Sequence, residues 1–460
     1  MQGPPGQSDQ NNSLRTFCFR FLVGLVFIRF SMLHQLLTYK LGVNIYLLYI
    51  FGLPSVMGLL FTGGFRRLFR FRPAFYWFGF AACISVASVF SSWLGGSVGL
   101  VSVYLKTDFI MLPLLGGLAI GWKECRTIIF TIALSTLVSE LSIKLFSSID
   151  INGRTALDFG SIQNSNDYAA HLILIVPFLL WAALSAKSFL FRLVAMLGVA
   201  YGCYLIVASG SRGGFIALVT GVAAMLVMGT SRQRMVGLFT SAAMLFAAIA
   251  LVPPQTFQRI LSLSEDNSSA TSEALQSSRI RKQLLQDSMM FAITHPLLGL
   301  GPGRFSEIEG LSRKVDGQVG LYFEAHNSFM TVASECGTPA LICYVAGIVS
   351  SILLLNRIRR KVADDPDAAD VRNAVSCMKT AIIAYCVATF FVNFAYFFYL
   401  PALSGLITAM AAAFLDPERQ NAGTQIPVAS SRMTPRFAPP VPLPARKRPP
   451  VSFPWPEAGR

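Results

Sequence analysis

Apolar positions in this chain run in long unbroken stretches, with none of the alternation that a half-buried strand would show. The stretches fall at about 14–37, 43–62, 73–92, 98–120, 127–147, 168–185, 188–208, 213–229, 235–252, 326–355, 377–397 and 400–415. Runs of roughly 17–25 residues are long enough to cross a hydrocarbon core of about 30 Å as helices. Open sheets are excluded at that depth because their edge groups would go unpaired, and a transmembrane barrel would need alternating apolar and polar positions. The pattern predicts an all-α polytopic membrane protein of about twelve transmembrane helices. Arg15, Arg20 and Arg29 leave the first stretch open to a second reading, an amphipathic helix lying in the interface.

Short polar segments between the runs orient them. The segment Phe65-Arg66-Arg67-Leu68-Phe69-Arg70-Phe71-Arg72 is strongly basic, and Lys123/Arg126, Lys187, Arg232/Arg234 and Arg357/Arg359/Arg360/Lys361 fall at alternate later loops. The positive-inside rule places all of these in the cytoplasm together with both termini. Loops near 38–42, 93–97, 148–167, 209–213 and 253–325 then face outward.

This divides the chain into a disordered N-terminus (1–13), a first bundle of nine helices (14–252), an extracytoplasmic loop subdomain (253–325), a last bundle of three helices (326–415) and a Pro-rich basic tail (416–460), read as a solvated cytoplasmic extension. Within the large loop, residues Ser277 to Ile293 have helical periodicity. His295-Pro296 ends that helix, and Leu298-Gly299-Leu300-Gly301-Pro302-Gly303 reads as a tight turn.

Composition agrees with the pattern. The chain is 53% hydrophobic and only 13% charged, where soluble domains average about 25% charged. The net charge of +15 is explained by the cytoplasmic loops and tail, and no nucleic-acid-binding signature accompanies it. Eight cysteines without CxxC spacing read as small buried hydrophobes. No P-loop, HExxH, GxSxG or metal-ligand cluster is present, so no cofactor and no metal are expected.

Candidate chemistry gathers at one face. Arg212 lies in Ser209-Gly210-Ser211-Arg212-Gly213-Gly214, at an outward helix boundary. Glycines such as Gly213 permit close backbone approach of a ligand. Amides at a helix start and an arginine fork suit a phosphate, although an arginine snorkelling to the interface fits equally. Arg279 and Arg281 sit on the loop helix two positions apart. They do not share a face, so at most one can aim into a common site; a solvated charged face is the plainer reading. His326 opens an apolar helix beside Glu324 and Asn327, where an imidazole can exchange a proton near neutral pH or simply bond a loop carbonyl. His171 is a polar residue inside an apolar run and so draws attention. Lys106 and Asp108 read as structural contacts between helices.

These motifs together resemble the O-antigen ligase and O-antigen polymerase superfamily of bacterial envelope proteins, over roughly residues 40–415. Asn166 followed by an apolar helix with Pro177 looks like that family's Asn-then-helix element. Ser211-Arg212-Gly213 is similar to its SRG turn. Arg281 with His295-Pro296-Leu297-Leu298-Gly299-Leu300-Gly301 resembles its Arg-helix-HPLxGxG element, and Ala325-His326-Asn327 with Glu335-Cys336-Gly337 its HN…ExG element. Leu285 stands where the family commonly carries an aromatic residue.

The resemblance implies a metal-independent, inverting glycosyltransferase of the inner membrane, with its active site on the periplasmic face. A glycan on undecaprenyl pyrophosphate would pass to an acceptor hydroxyl on a lipid A core sugar, another lipid-linked glycan or a protein. Arg212, Arg281 and His326 would be catalytic, and Arg279, Asn166, Gly213 and Asn327 would bind substrate. Membrane lipids are the other expected partners, nucleic acid is not one. Rival readings are a polymerase of the same superfamily, a lipid-linked glycan flippase or transporter, and a non-catalytic scaffold.

Overall fold

The computed structural model describes residues 12–149, 155–157, 160–162, 164–238, 272–315, 317 and 322–415. The expected N-terminal extension up to residue 11, the loop residues 253–271, most of the 235–252 stretch and the tail from 416 lie outside the described residues.

In chain order the helices are α1 (Ser13–Phe30), α2 (Leu33–Leu41), α3 (Leu47–Phe61), α4 (Gly64–Leu68), α5 (Arg72–Val89), α6 (Leu94–Tyr104), α7 (Met111–Leu118), α8 (Trp122–Phe146), α9 (Ser165–Ser185), α10 (Phe189–Ala208), α11 (Arg212–Met228), α12 (Ser272–Thr294), α13 (Phe305–Val315), α14 (Ser328–Lys361), α15 (Ala369–Ala388) and α16 (Tyr399–Leu415). A π-helical turn, Leu105–Phe109, joins α6 to α7. Between α8 and α9 a short antiparallel hairpin pairs β1 (Ser147–Ile149) with β2 (Thr155–Leu157), a small departure from the all-helical expectation.

Every apolar stretch within the described residues carries helix, and the chain is a helical membrane protein. Among the described residues, five spans are long and apolar enough to cross a bilayer: α6 through α7, α8, α9, α10 and α14. The pair α1 and α2, bent by 68°, makes a sixth if it is one span, while α3, α11 and α16 are shorter apolar helices. The count of twelve is therefore larger than length and apolarity alone support here.

At the centre stands α9, whose apolar window is 89% buried, packed among α8, α10, α11 and α15. α1 packs against α3 and α8. One face is buried in the bundle, and two of its arginines are paired there. Arg15 Nη1 donates to Leu118 O (2.9 Å) and to Glu124 Oε1 (2.7 Å). Arg29 Nη2 donates to Asp108 Oδ1 at 2.5 Å, with side chains 8% and 17% exposed. The π turn that carries Asp108 aims it at Arg29, whose guanidinium also lies 4.2 Å from the Phe398 ring centroid. Breaking a buried ion pair by removing one partner costs about 3–5 kcal/mol, because the survivor is left uncompensated. Asp108→Asn is expected to lower the thermal midpoint in detergent clearly, and the double change Arg29→Met/Asp108→Leu to recover most of it. Equal midpoints for Asp108→Asn and the parent would show the pair to be dispensable.

The two ends of the bundle differ in charge logic. At one end, arginines from the basic loops meet the C-terminal carbonyls of descending helices. Arg67 Nε donates to Gly117 O (2.8 Å), Arg232 Nη1 to Leu184 O (3.1 Å) and Arg359 Nη1 to Met228 O (2.6 Å), while Arg126 Nε pairs with Asp370 (2.7 Å). Cations there complement the negative ends of the helix dipoles. At the other end lie the N-termini of α9, α11 and α14.

Candidate functional site

The site is built where α11 and α14 begin. α10 ends at Ala208, and only three residues separate it from α11. Gly210 takes a left-handed φ of 62° to make this turn. The Ser209 hydroxyl donates to Ile206 O (2.6 Å) and accepts from Ser211 N (3.0 Å); Ser211 Oγ then caps α11 by accepting from Gly214 N (3.1 Å). Arg212 is thus the first helical residue of α11. A Cβ on Gly213 would lie 2.5 Å from Phe391 Cβ, so the glycine lets that aromatic close over the helix start.

α14 begins in a similar manner. Asn327 Oδ1 accepts from Phe329 N (3.0 Å) and Met330 N (3.1 Å). His326, immediately before it, holds a left-handed φ of 49°. Non-glycine residues rarely take that conformation, and such strain clusters at functional sites. Neither α11 nor α14 carries an acidic residue in its first turn, so neither helix neutralises its own positive dipole end.

The third element comes from the loop subdomain. α12 and α13 enclose a small core of Leu284, Phe291, Leu300, Phe305 and Ala325. Arg313 ties them together, bonding Asp287 (2.6 Å) and Glu309 (2.5 Å). The turn after His295 then docks backbone to backbone on the kink in α14: Thr338 N donates to Pro296 O (2.7 Å), Leu300 N to Ser334 O (2.9 Å) and Gly301 N to Glu335 O (2.9 Å). Two glycines permit this approach. Gly299 (φ 64°) would put a Cβ 2.3 Å from Glu335 C, and Gly337 (φ 81°) would put one 2.4 Å from Leu297 O. The Glu335 carboxylate accepts from Gly303 N (2.9 Å), Phe305 N (3.2 Å) and the Tyr396 hydroxyl (2.8 Å). The HPLxGxG-like and ExG-like segments are therefore two halves of one clamp that holds α12 over the bundle.

That clamp brings the predicted residues together. Arg212, Gly213, Arg281, His326 and Asn327 line one cleft of about 320 Å³, with Lys282, Ile216, Leu285, Ala325, Phe390 and Phe391. Three cations and no carboxylate are among the described lining residues. Ile216, Leu285, Phe390 and Phe391 make the rest of the wall apolar. Leu285, where the family commonly has an aromatic, faces this cleft, and Phe390 and Phe391 supply aromatic surface from the segment after α15.

Two expected residues are not in the lining. Arg279 is exposed on α12, two positions from Arg281, as helix geometry requires. Asn166 sits in the first turn of α9, where its N and Nδ2 both donate to Asn164 Oδ1 (2.9 and 3.1 Å). Its neighbour Asp167 does interact electrostatically with Arg281. Lys282, Phe390, Phe391 and Asp167 were not anticipated. Lys282 had only adjacency to Arg281 to mark it.

His326 is held well below an ordinary imidazole, at about 4, first by burial and then by the charge of Arg281. It is neutral at pH 7 and can accept a proton. His171 lies fully buried between Ser139 and Tyr399, with Nδ1 2.7 Å from the Tyr399 hydroxyl, away from the cleft. His295 is at the end of α12, near Thr294. Among the described residues, no three His, Cys, Asp or Glu side chains gather as metal ligands.

Comparison with protein families matches residues 197–345 to the family described as O-Antigen ligase. This segment, about a third of the chain, contains the Arg212 turn, Arg281, the clamp and His326, and bears out the resemblance read from those motifs. No curated protein matches the chain.

Proposed function

We propose that this protein, whose cleft is lined mostly by the segment matching the O-antigen ligase family, transfers a glycan from undecaprenyl pyrophosphate to an acceptor hydroxyl at the outer face of the bacterial inner membrane. The observation that supports this best is the cleft itself: three cations and two helix N-termini, no carboxylate among the described lining residues, and an apolar flank of Ile216, Leu285, Phe390 and Phe391. A diphosphate joined to a lipid has that same division of charge and apolarity. In the reaction, the acceptor oxygen attacks the anomeric carbon, and the bond from that carbon to the phosphate oxygen breaks. The diphosphate leaves with its electron pair toward Arg212 and Arg281. The acceptor proton goes to neutral His326. The cations meet the leaving charge without a metal, and attack opposite the leaving group inverts the anomeric centre. The same cleft serves a polymerase, in which the acceptor is a second lipid-linked glycan.

Purified full-length protein in proteoliposomes, given lipid-linked glycan inside or outside together with a candidate acceptor, tests this. Covalent transfer without movement of donor across the bilayer is the expected result, and the product's chain length separates ligation from polymerisation. Translocation without any new glycosidic bond would replace the proposal with a transporter.

The state of His326 adds a pH signature. Its neutral form is lost as pH falls through about 4, so kcat/KM is expected to hold down to that region instead of falling near the ordinary imidazole value of about 6.5. A bound diphosphate offsets the Arg281 charge, so the acid limb of kcat should lie at higher pH than that of kcat/KM. Coincident limbs near the free imidazole value would remove His326 from the proton path.

A further inference from the structure

A second cleft opens at the same end of the bundle, larger than the first at about 480 Å³ and chemically different. Its walls are the α2 face carrying Gln35, Thr38 and Tyr39, the Asn44–Tyr49 segment that starts α3, and the Gly160-Ser161 turn that precedes α9. Among the described lining residues none is an aspartate, glutamate, lysine or arginine. Three are tyrosines: Tyr39 is 49% exposed, Tyr46 61% and Tyr49 54%.

The cleft is built, not a gap between mobile rims. Gln35 Oε1 accepts from Ser161 N (2.9 Å), and its Nε2 donates to Ser161 Oγ (3.0 Å). A Cβ on Gly160 would lie 2.4 Å from Gln35 Oε1, so the turn is seated directly on α2. On the opposite wall, Tyr46 holds a left-handed φ of 53°, and Asn44 Oδ1 accepts from its backbone N at 2.9 Å. The Tyr46 and Tyr49 rings stand 6.0 Å apart and tilted by 59°, which presents two differently oriented faces. Lys40 covers the Tyr39 ring from 5.4 Å.

We propose that this second cleft binds a neutral oligosaccharide, as a subsite for glycan remote from the reacting bond. The proposal rests on the reading of the protein as a glycan transferase. Rigid amphipathic rings give contact area at low entropic cost, and the axial C–H faces of hexoses are apolar enough to pack on them. The amides of Asn44 and Gln35 and the hydroxyls of Thr38 and Ser161 can exchange hydrogen bonds with sugar hydroxyls. Among its described lining residues there is no Asp, Glu, Lys or Arg, which distinguishes it from the first cleft, whose three cations would prefer a diphosphate.

The two sites are also mechanically joined. Six residues after Ser161, Asp167 interacts with Arg281, and a Cβ on Gly214 in α11 would touch Ala169 Cβ at 3.0 Å. A glycan seated beside Ser161 would thus lie a few residues before the helix start that borders the reaction cleft.

Saturation-transfer NMR on the full-length protein in nanodiscs tests this. The probe is the neutral oligosaccharide fraction released by mild acid from the source cells' surface polysaccharide. Sugar ring protons are expected to receive saturation, and Tyr46→Ala and Tyr49→Ala to weaken binding by about tenfold, the loss typical of one aromatic contact. Tyr46→Phe and Tyr49→Phe should keep it, because the ring remains. Tyrosines that only anchor the protein at the membrane interface would give no saturation, or binding indifferent to both alanine changes, and either result overturns the proposal. Should the alanine variants misfold, Ser161→Trp fills the cleft from its other wall and must abolish binding. Arg212→Ala should bind the probe normally. Tyrosine-dependent sugar binding without any transfer product would defeat the transferase reading alone. Transfer with unaltered sugar binding in the variants would defeat the second cleft alone.

Discussion

Arg212→Ala and Arg281→Ala are each expected to lower kcat/KM for glycan transfer by about 10²–10³, the usual cost of removing one preorganised donor from a developing anion. The two residues reach the cleft from different places, Arg212 from the first turn of α11 and Arg281 from the docked loop helix. The loss in rate should exceed what any fall in thermal midpoint explains, since both side chains line the cleft. Arg212→Lys should recover only part of the rate. A lysine restores the charge but not the planar fork that meets two phosphate oxygens at once. Arg279→Ala, on the solvent side of the same helix, should stay near wild-type turnover. Initial rates in proteoliposomes, alongside melting curves, decide the matter: full activity in both alanine variants would take the leaving-group role away from this cleft.

Gly337→Ala should be at least as damaging, although the residue touches no substrate. Its φ of 81° is strained for any side chain, and the new Cβ would lie 2.4 Å from the Leu297 carbonyl oxygen. Backbone cannot step aside as a flexible side chain can. The turn after His295 should lift off α14, carrying α12 and Arg281 with it, and transfer should drop by about 10² or more, since small misplacement of a positioned group has that effect. A cysteine pair reads this directly. Leu285 and Phe390 line the cleft from different elements, so Leu285→Cys with Phe390→Cys is expected to be bridged by a bifunctional thiol reagent that spans the cleft in the parent, and to fail in Gly337→Ala. The native cysteines are buried or half-buried, which keeps the background low. An intact cross-link with normal turnover in Gly337→Ala would show that the clamp does not position Arg281.

Much of this was legible before any coordinates. Continuous apolarity gave the helices, and the separation of Arg279 from Arg281 implied that only one could enter a shared site. What escaped was set by contacts distant in sequence. The break between α1 and α2, and the π turn at Leu105–Phe109, occur in runs whose composition reads as one helix. Residues 377–397 likewise read as a single span, yet α15 stops at Ala388. The following segment folds back, with Ser328 N donating to Thr389 O (2.9 Å) and Ser328 Oγ to Val392 O (2.9 Å). Irregular backbone is tolerated among apolar residues when other protein groups satisfy it, and sequence shows the apolarity without showing the partners. Phe390 and Phe391 were hidden for that reason. Glu335 was visible as part of a motif, but the amides that it accepts from lie about thirty positions earlier, so its part in docking the loop appeared only with the fold.

The shortness of α11 has one more consequence. Its 17 residues span about 25 Å, several ångströms less than an average hydrocarbon core of about 30 Å. A bilayer relieves such mismatch by thinning locally, which would draw the headgroup plane down to the level of Arg212 and let a carrier's phosphates meet the arginines without leaving the leaflet. Turnover should therefore rise in vesicles of shorter-chain phospholipids and fall in thicker ones at constant headgroup composition, which makes acyl-chain length a control on this chemistry.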